Sequence, residues 1–245
     1  MATLARERIG IVLQARLDSS RLPGKSMLLL GGRPLILRVM EALREIPADA
    51  RALACPADAQ AAFAPLAEEA GFALIKGPKD DVLARYCIAA RELSLDRVIR
   101  ATGDNPFVFI DAAIAINAQA LELRADYAGY SGLPHGAGVE SVLAGALFEA
   151  EQNAKAVSER EHVCPYLYGN PEIFLLHRPL APIAWRKSGA RLTVDTSEDY
   201  ERAVKIYAAL DDMERAGDFA PGERYAGASI LRAYEKAFSS KEARR

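Results

Sequence analysis

The chain has 245 residues and 26.5 kDa, with 51% hydrophobic and 26% charged residues, which suits one α/β domain with a sizeable core. A formal net charge of −2 gives no global field for nucleic acid or an anionic membrane, so an anionic ligand has to be held by local Arg and Lys groups. Apolar stretches such as 9–13 and 27–30 fall far short of the roughly 20 residues that span a bilayer. The opening residues carry no apolar region of the secretory kind, and Cys55, Cys87 and Cys164 are odd in number and widely spaced. A reduced, cytoplasmic protein with buried thiols and no disulfide or structural zinc is the expectation.

In chain order, the apolar run 9–14 reads as a strand covered on both faces. Residues 34–46 follow at helical spacing, with Leu35, Val39, Leu43 and Ile46 on one side. A strand over 51–55, a helix over 57–70 closed by Gly71, a strand over 72–76 and a helix over 81–93 come next. The fourth strand spans 96–102 and ends in Gly103-Asp104-Asn105-Pro106, before a helix over 110–123. Strands alternating with long helices predict a mostly parallel, Rossmann-like sheet with helices on both faces, and ligands beyond the carboxyl ends of its strands.

The second half is less regular. A strand over 138–143, a helix near Phe148, a helix over 158–168 and extended segments at 173–177 and 191–194 are expected. The helix over 197–210 has Thr196 or Ser197 as its cap and Glu198 and Asp199 in its first turn. Residues 211–218 and Pro221-Gly222 read as a linker, 228–238 as a last helix and 239–245 as a frayed tail. Residues 1–212 are thus expected to form one domain, with a nucleotide-binding half at 9–125 and an acceptor and metal half at 126–212. Residues 213–245 would be an appended linker and helix.

Two strand-end loops carry unusual chemistry. The first, 15–25, sets Arg16, Arg21 and Lys25 among hydroxyls, a Pro and a Gly, a composition that suits a triphosphate. It is neither a Walker loop nor a dinucleotide fingerprint. The second offers the single carboxylate of Asp104, and Asp195 stands at the end of another apolar run just before a helix. Nucleotide-bound magnesium takes only one or two protein carboxylates, so this pair suffices, although a helix cap and a turn residue account for the same positions.

The twelve residues Q-A-R-L-D-S-S-R-L-P-G-K at 14–25 resemble the ARxxSxRLPGK signature of the enzymes that make CMP-KDO. They resemble more closely the spore-coat polysaccharide cytidylyltransferase-like family. R-A-T-G-D-N-P and L-T-V-D-T-S-E-D resemble the two later motifs of that family, in the same order. The resemblance implies a nucleotide-diphospho-sugar transferase (GT-A-like) fold and transfer of CMP from CTP to an acidic sugar for a polysaccharide or surface glycan. It also implies a homodimer. Gln14, Ala15, Arg16, Ser19, Arg21, Lys25, Thr102 and Gly103 would bind the nucleotide, Arg16 and Lys25 meeting phosphates. Asp104 and Asp195 would hold Mg2+.

P-H-G-A-G-V-E at 134–140 and S-E-R-E-H-V at 158–163 resemble the remaining motifs, which places Glu140, Arg160 and His162 on the acceptor side. Gly138 and His135 stand where relatives carry acids, so an acceptor bearing a carboxylate or phosphate is expected near this loop. Two alternatives stay open: a GT-A-like glycosyltransferase using a nucleotide sugar, and a non-catalytic nucleotide-binding derivative of the fold.

Overall fold

β1 (Ile9–Gln14) is apolar at nearly every position because both of its faces are covered. With a side-chain period of two, Ile11 and Leu13 enter one core while Val12 enters the other. The structure, a computed structural model, describes residues 6–238; the tail predicted to fray at 239–245 lies outside the described residues, as do the first five.

A short hairpin of β2 (Leu29–Leu30) and β3 (Arg33–Pro34) leads into α1 (Leu35–Leu43). Then come β4 (Ala50–Pro56), α2 (Gln60–Ala70), β5 (Ala73–Gly77), α3 (Val82–Glu92), β6 (Arg97–Thr102) and α4 (Ile110–Leu123). The second half supplies β7 (Tyr127–Ala128), β8 (Glu140–Leu143), α5 (Ala144–Asn153), α6 (Val157–His162), α7 (Pro165–Gly169) and β9 (Leu176–His177), before α8 (Ser197–Ala216) and α9 (Gly227–Phe238). The main sheet runs β5-β4-β1-β6-β8-β7-β9, and only β8 is antiparallel to its neighbours. The predicted α/β fold with a mostly parallel sheet is therefore observed. Residues of α1, α2, α4, α8 and α9 cover one face, and residues of α3, α5 and α7 cover the other.

β1 sits between β4 and β6, and Gln14 lies opposite Thr102 in register. The two strand-end loops singled out in the sequence therefore leave the sheet side by side. Cys55, Cys87 and Cys164 are buried free thiols, and burial pushes Cys87 up to about 12. Among the described residues, no helix is long and apolar enough to cross a membrane.

The sequence expectations fail in four places. The helix expected over 158–168 is two helices, because Pro165 has no N–H to donate and Val163 takes a left-handed φ of 73° between them. The extended segment at 191–194 forms only one bridge, from His135 to Arg191. Residues 211–216, read as linker from their charge, continue α8, whose Ala209, Leu210 and Met213 stay on the buried face. β7 and the β2-β3 hairpin, each strand two residues long, carry too little periodicity to be read.

α8 begins in a capping box: Asp199 N–H donates to Thr196 Oγ1 (3.3 Å), and Thr196 N–H donates to Asp199 Oδ2 (3.2 Å). Asp199 is only 4% exposed. It also accepts from Arg191 (2.9 Å), Arg202 (2.6 Å) and the Asp195 N–H (3.1 Å). Burial alone would raise its pKa, but these donors outweigh burial and hold it at about 2. Its folded value lies below the ordinary 3.8, so the stabilisation is present above about pH 4 and is lost as pH falls towards 2. The shift corresponds to about 2 kcal/mol. Asp199→Asn is expected to lower unfolding free energy by about this amount at pH 6. Urea titrations of both proteins should show the gap shrinking as pH falls from about 4 to about 2. A gap that stays constant would assign the loss to shape rather than charge.

Candidate functional site

The loop after β1 curls back on itself. Gly24 takes φ 67°, the left-handed conformation that lets the chain turn into a short 3-10 segment, Lys25–Met27. Gly24 N–H bonds Leu17 carbonyl (3.2 Å), and Ser26 Oγ donates to the Arg16 carbonyl (3.1 Å). This folding aims Lys25 inward. Its Nζ donates to Asp104 Oδ2 (2.8 Å), Asp195 Oδ1 (2.9 Å) and the Val194 carbonyl (3.0 Å). The Lys25 side chain is 13% exposed.

The carboxylates are held from their own sides. Gly103 N–H donates to the Gln14 carbonyl at 2.8 Å, and a Cβ on Gly103 would lie 2.9 Å from that of Ala15, so a glycine is what lets the two strand ends meet. Asn105 Nδ2 donates to Thr102 Oγ1 (2.7 Å), closing the turn that presents Asp104. Val194 N–H donates to the Asp104 carbonyl (2.8 Å), and Leu192 N–H to that of His135 (2.7 Å). Gly136, at φ 90°, approaches so closely that a Cβ there would lie 2.5 Å from Thr193 N. Asp195 also meets Arg191 (2.8 Å) and the 64% exposed Arg21 (3.3 Å). Burial would raise the Asp195 carboxyl, but Lys25 foremost, then Arg21 and Arg191, outweigh it and hold the group below its ordinary value.

These segments enclose a cavity of about 390 Å³. Of the residues predicted from sequence, Gln14, Ala15, Arg16, Ser19, Arg21, Lys25, Thr102, Gly103, Asp104, His162 and Asp195 line it. Arg16 is exposed and makes no ion pair among the described residues, so its guanidinium is available to a ligand. Two predicted acceptor residues lie elsewhere. Glu140 stands opposite Arg100 across the β6-β8 pair, bonded to it and to Tyr127 Oη (2.7 Å). Arg160 is bound to Asp81, the cap of α3, and to the Glu151 carbonyl (2.6 Å). Gly138 is exposed and does not line the cavity, whereas His135 does. Sequence reasoning passed over Arg100, Asn105, Glu161 and Thr193, all in the lining. Each lies inside a motif already singled out, so their only signal was proximity to the chosen residues.

Two carboxylate oxygens converge on one cation, Lys25 Nζ. Such a pair fits magnesium when phosphate oxygens and water supply its other ligands. Among the described residues no cluster of three or more His, Cys, Asp or Glu suits a metal, so the pair would depend on the phosphates. The remaining lining cations, Arg16, Arg21 and Arg100, make the cavity suited to a polyanion.

Known proteins resemble this chain over most of its length. The protein MJ1063 of Methanocaldococcus jannaschii is 32% identical over 217 residues, covering 86% of this chain and 89% of that one. The Bacillus subtilis spore coat polysaccharide biosynthesis protein SpsF is 29% identical over 203 residues, covering 80% and 85%. Among solved structures, a cytidylyltransferase from Leptospira borgpetersenii superposes with a TM-score of 0.82 at 23% identity, over 96% of each chain. A CMP-2-keto-3-deoxy-manno-octonic acid synthetase, solved with CTP, gives 0.64 at 17% identity, over 84% of this chain and 99% of that one. These likenesses establish the fold. The cytidylyltransferase family itself matches over residues 9–225, a span that takes in every segment lining the cavity, and the chain belongs to that family.

Proposed function

We propose that the chain transfers CMP from CTP to a hydroxyl of an acidic sugar and releases pyrophosphate, with magnesium held by Asp104 and Asp195. The observation that carries this reading is the convergence of Lys25, Asp104 and Asp195 at the carboxyl ends of β1 and β6 in a chain of this family. An acceptor oxygen forms a bond to the α-phosphorus, the bond to the β-phosphate oxygen breaks, and the hydroxyl proton leaves to solvent. Arg16, Arg21 and Lys25 neutralise the departing pyrophosphate, and the cavity walls align the reactants. When bound, the metal supplies charge neutralisation at the phosphates. On the acceptor side, the exposed His162 suits a carboxylate better than Arg160, which Asp81 already occupies.

CTP with magnesium at 100 times its dissociation constant should add about 2.7 kcal/mol, or about 5 to 10 °C in melting temperature. A shift with GTP or a UDP-sugar and none with CTP would refute the reading. Pyrophosphate release measured over a panel of sugar acids then identifies the acceptor. Asp104→Asn and Asp195→Asn should each cut turnover by about two to three orders of magnitude, the scale of a lost electrostatic stabiliser, without lowering nucleotide-free melting by more than a few degrees. Variants that melt early and keep their activity per folded molecule would assign both aspartates a structural part only. The Lys25 ammonium competes for the metal position in the free protein. Lys25→Met should therefore bind manganese about tenfold more tightly by calorimetry without nucleotide, the scale of one charge-assisted hydrogen bond. Equal affinity in both proteins would show that Lys25 does not compete.

A further inference from the structure

Arg85 of α3 is fully buried, yet it forms no ion pair with a carboxylate among the described residues. Its Nη1 donates to the carbonyls of Pro78 (2.6 Å) and Lys79 (2.8 Å), its Nη2 donates to Gln14 Oε1 (3.1 Å), and its Nε has no partner. Burial lowers its pKa, which marks the cost of keeping the guanidinium in place. The chain makes room for it: a Cβ on Gly77, at the end of β5, would lie 2.6 Å from Arg85 Cγ.

A guanidinium only donates, so the contact fixes which way the Gln14 amide points. Oxygen faces Arg85, and Nε2 with its two N–H groups is left over. The Gln14 backbone carbonyl is already taken by Gly103 N–H. Gln14 lines the cavity beside the apolar Ala15 and Val82. With its oxygen turned to Arg85, Gln14 has its amide N–H groups left to offer this part of the wall.

We propose that Arg85 is a positioning residue that sets the base preference of the cavity by locking the Gln14 amide as a donor. The inference rests on the reading that a pyrimidine nucleotide occupies the cavity. Cytosine presents O2 and N3 as adjacent acceptors, whereas uracil carries a hydrogen on N3. An amide N–H held at this position pairs with N3 of the first and opposes N3–H of the second donor to donor, and discrimination of this kind exceeds what shape alone achieves.

The test is calorimetric affinity of the full chain for CTP and for UTP, read as a ratio so that a uniform change in phosphate binding cancels. Wild type should prefer CTP by about tenfold or more, the worth of one satisfied against one opposed hydrogen bond. Gln14→Glu keeps a partner for Arg85 but turns an acceptor to the cavity, so the ratio should fall below one. Arg85→Met frees the amide to rotate and should bring the ratio towards one, while Arg85→Lys, which retains a donor, should keep most of the preference. Should Arg85→Met fail to fold, Gln14→Glu decides alone. A wild-type preference for CTP that survives Gln14→Glu overturns the inference and leaves the nucleotide reading intact. Failure of wild type to bind either nucleotide overturns both.

Discussion

One ammonium group joins three stretches of chain, since Lys25 bonds residues 79 and 170 positions away. Asp104 and Asp195 would repel each other if left alone, and both are mostly shielded from water, where such repulsion is poorly screened. The shared cation turns that repulsion into a clamp. It holds the loop after β1 against the end of β6 and against the turn before α8, and the cavity is the space these three leave between them. Removing the Lys25 ammonium would leave two facing carboxylates, whereas removing either aspartate leaves Lys25 paired with the other.

Backbone contact supports the clamp where side chains would interfere. Gly103 lets β1 and β6 ends touch, and Gly136 lets its loop press on Thr193. Asp199 anchors the other side of the turn, receiving the Asp195 N–H while sharing Arg191 with the Asp195 carboxylate. The loop after β1 is thus tied inward at Lys25, while its Arg16 and Arg21 side chains are exposed. For the proposed triphosphate ligand, one end of the loop would supply register and the other exposed guanidinium charge.

The parallel half of the fold was legible because its signals are local and strong. Apolar strands at 9–14 and 96–102, the helical spacing of Leu35, Val39 and Leu43, and Gly71 as a helix stop each follow from one rule. The second half was less legible because its elements are set by tertiary contact. β7 exists only because β8 and β9 flank it, and 211–216 stays helical because Met213 has a core to enter. At the site, the loop motifs pointed to the residues that meet, but spacing cannot say which way a side chain turns. Glu140 looked like a ligand group and is satisfied by Arg100 directly across the sheet; Arg85, which carries no motif of its own, lies wholly inside.

The cavity is built from two kinds of wall. On the side proposed for the nucleotide, Gln14, Lys25, Thr102 and Asp104 are tied to the sheet or to one another, so a substitution there disturbs several bonds at once. On the opposite side, His135, Glu161 and His162 are exposed residues of loops and a short helix. Exchanges at such positions usually change stability by less than about 0.5 kcal/mol. On the proposed reading, the divided wall would make one part of the chemistry hard to alter and the other negotiable: acceptor preference could change through near-neutral steps, while changes to nucleotide handling would each disturb several bonds.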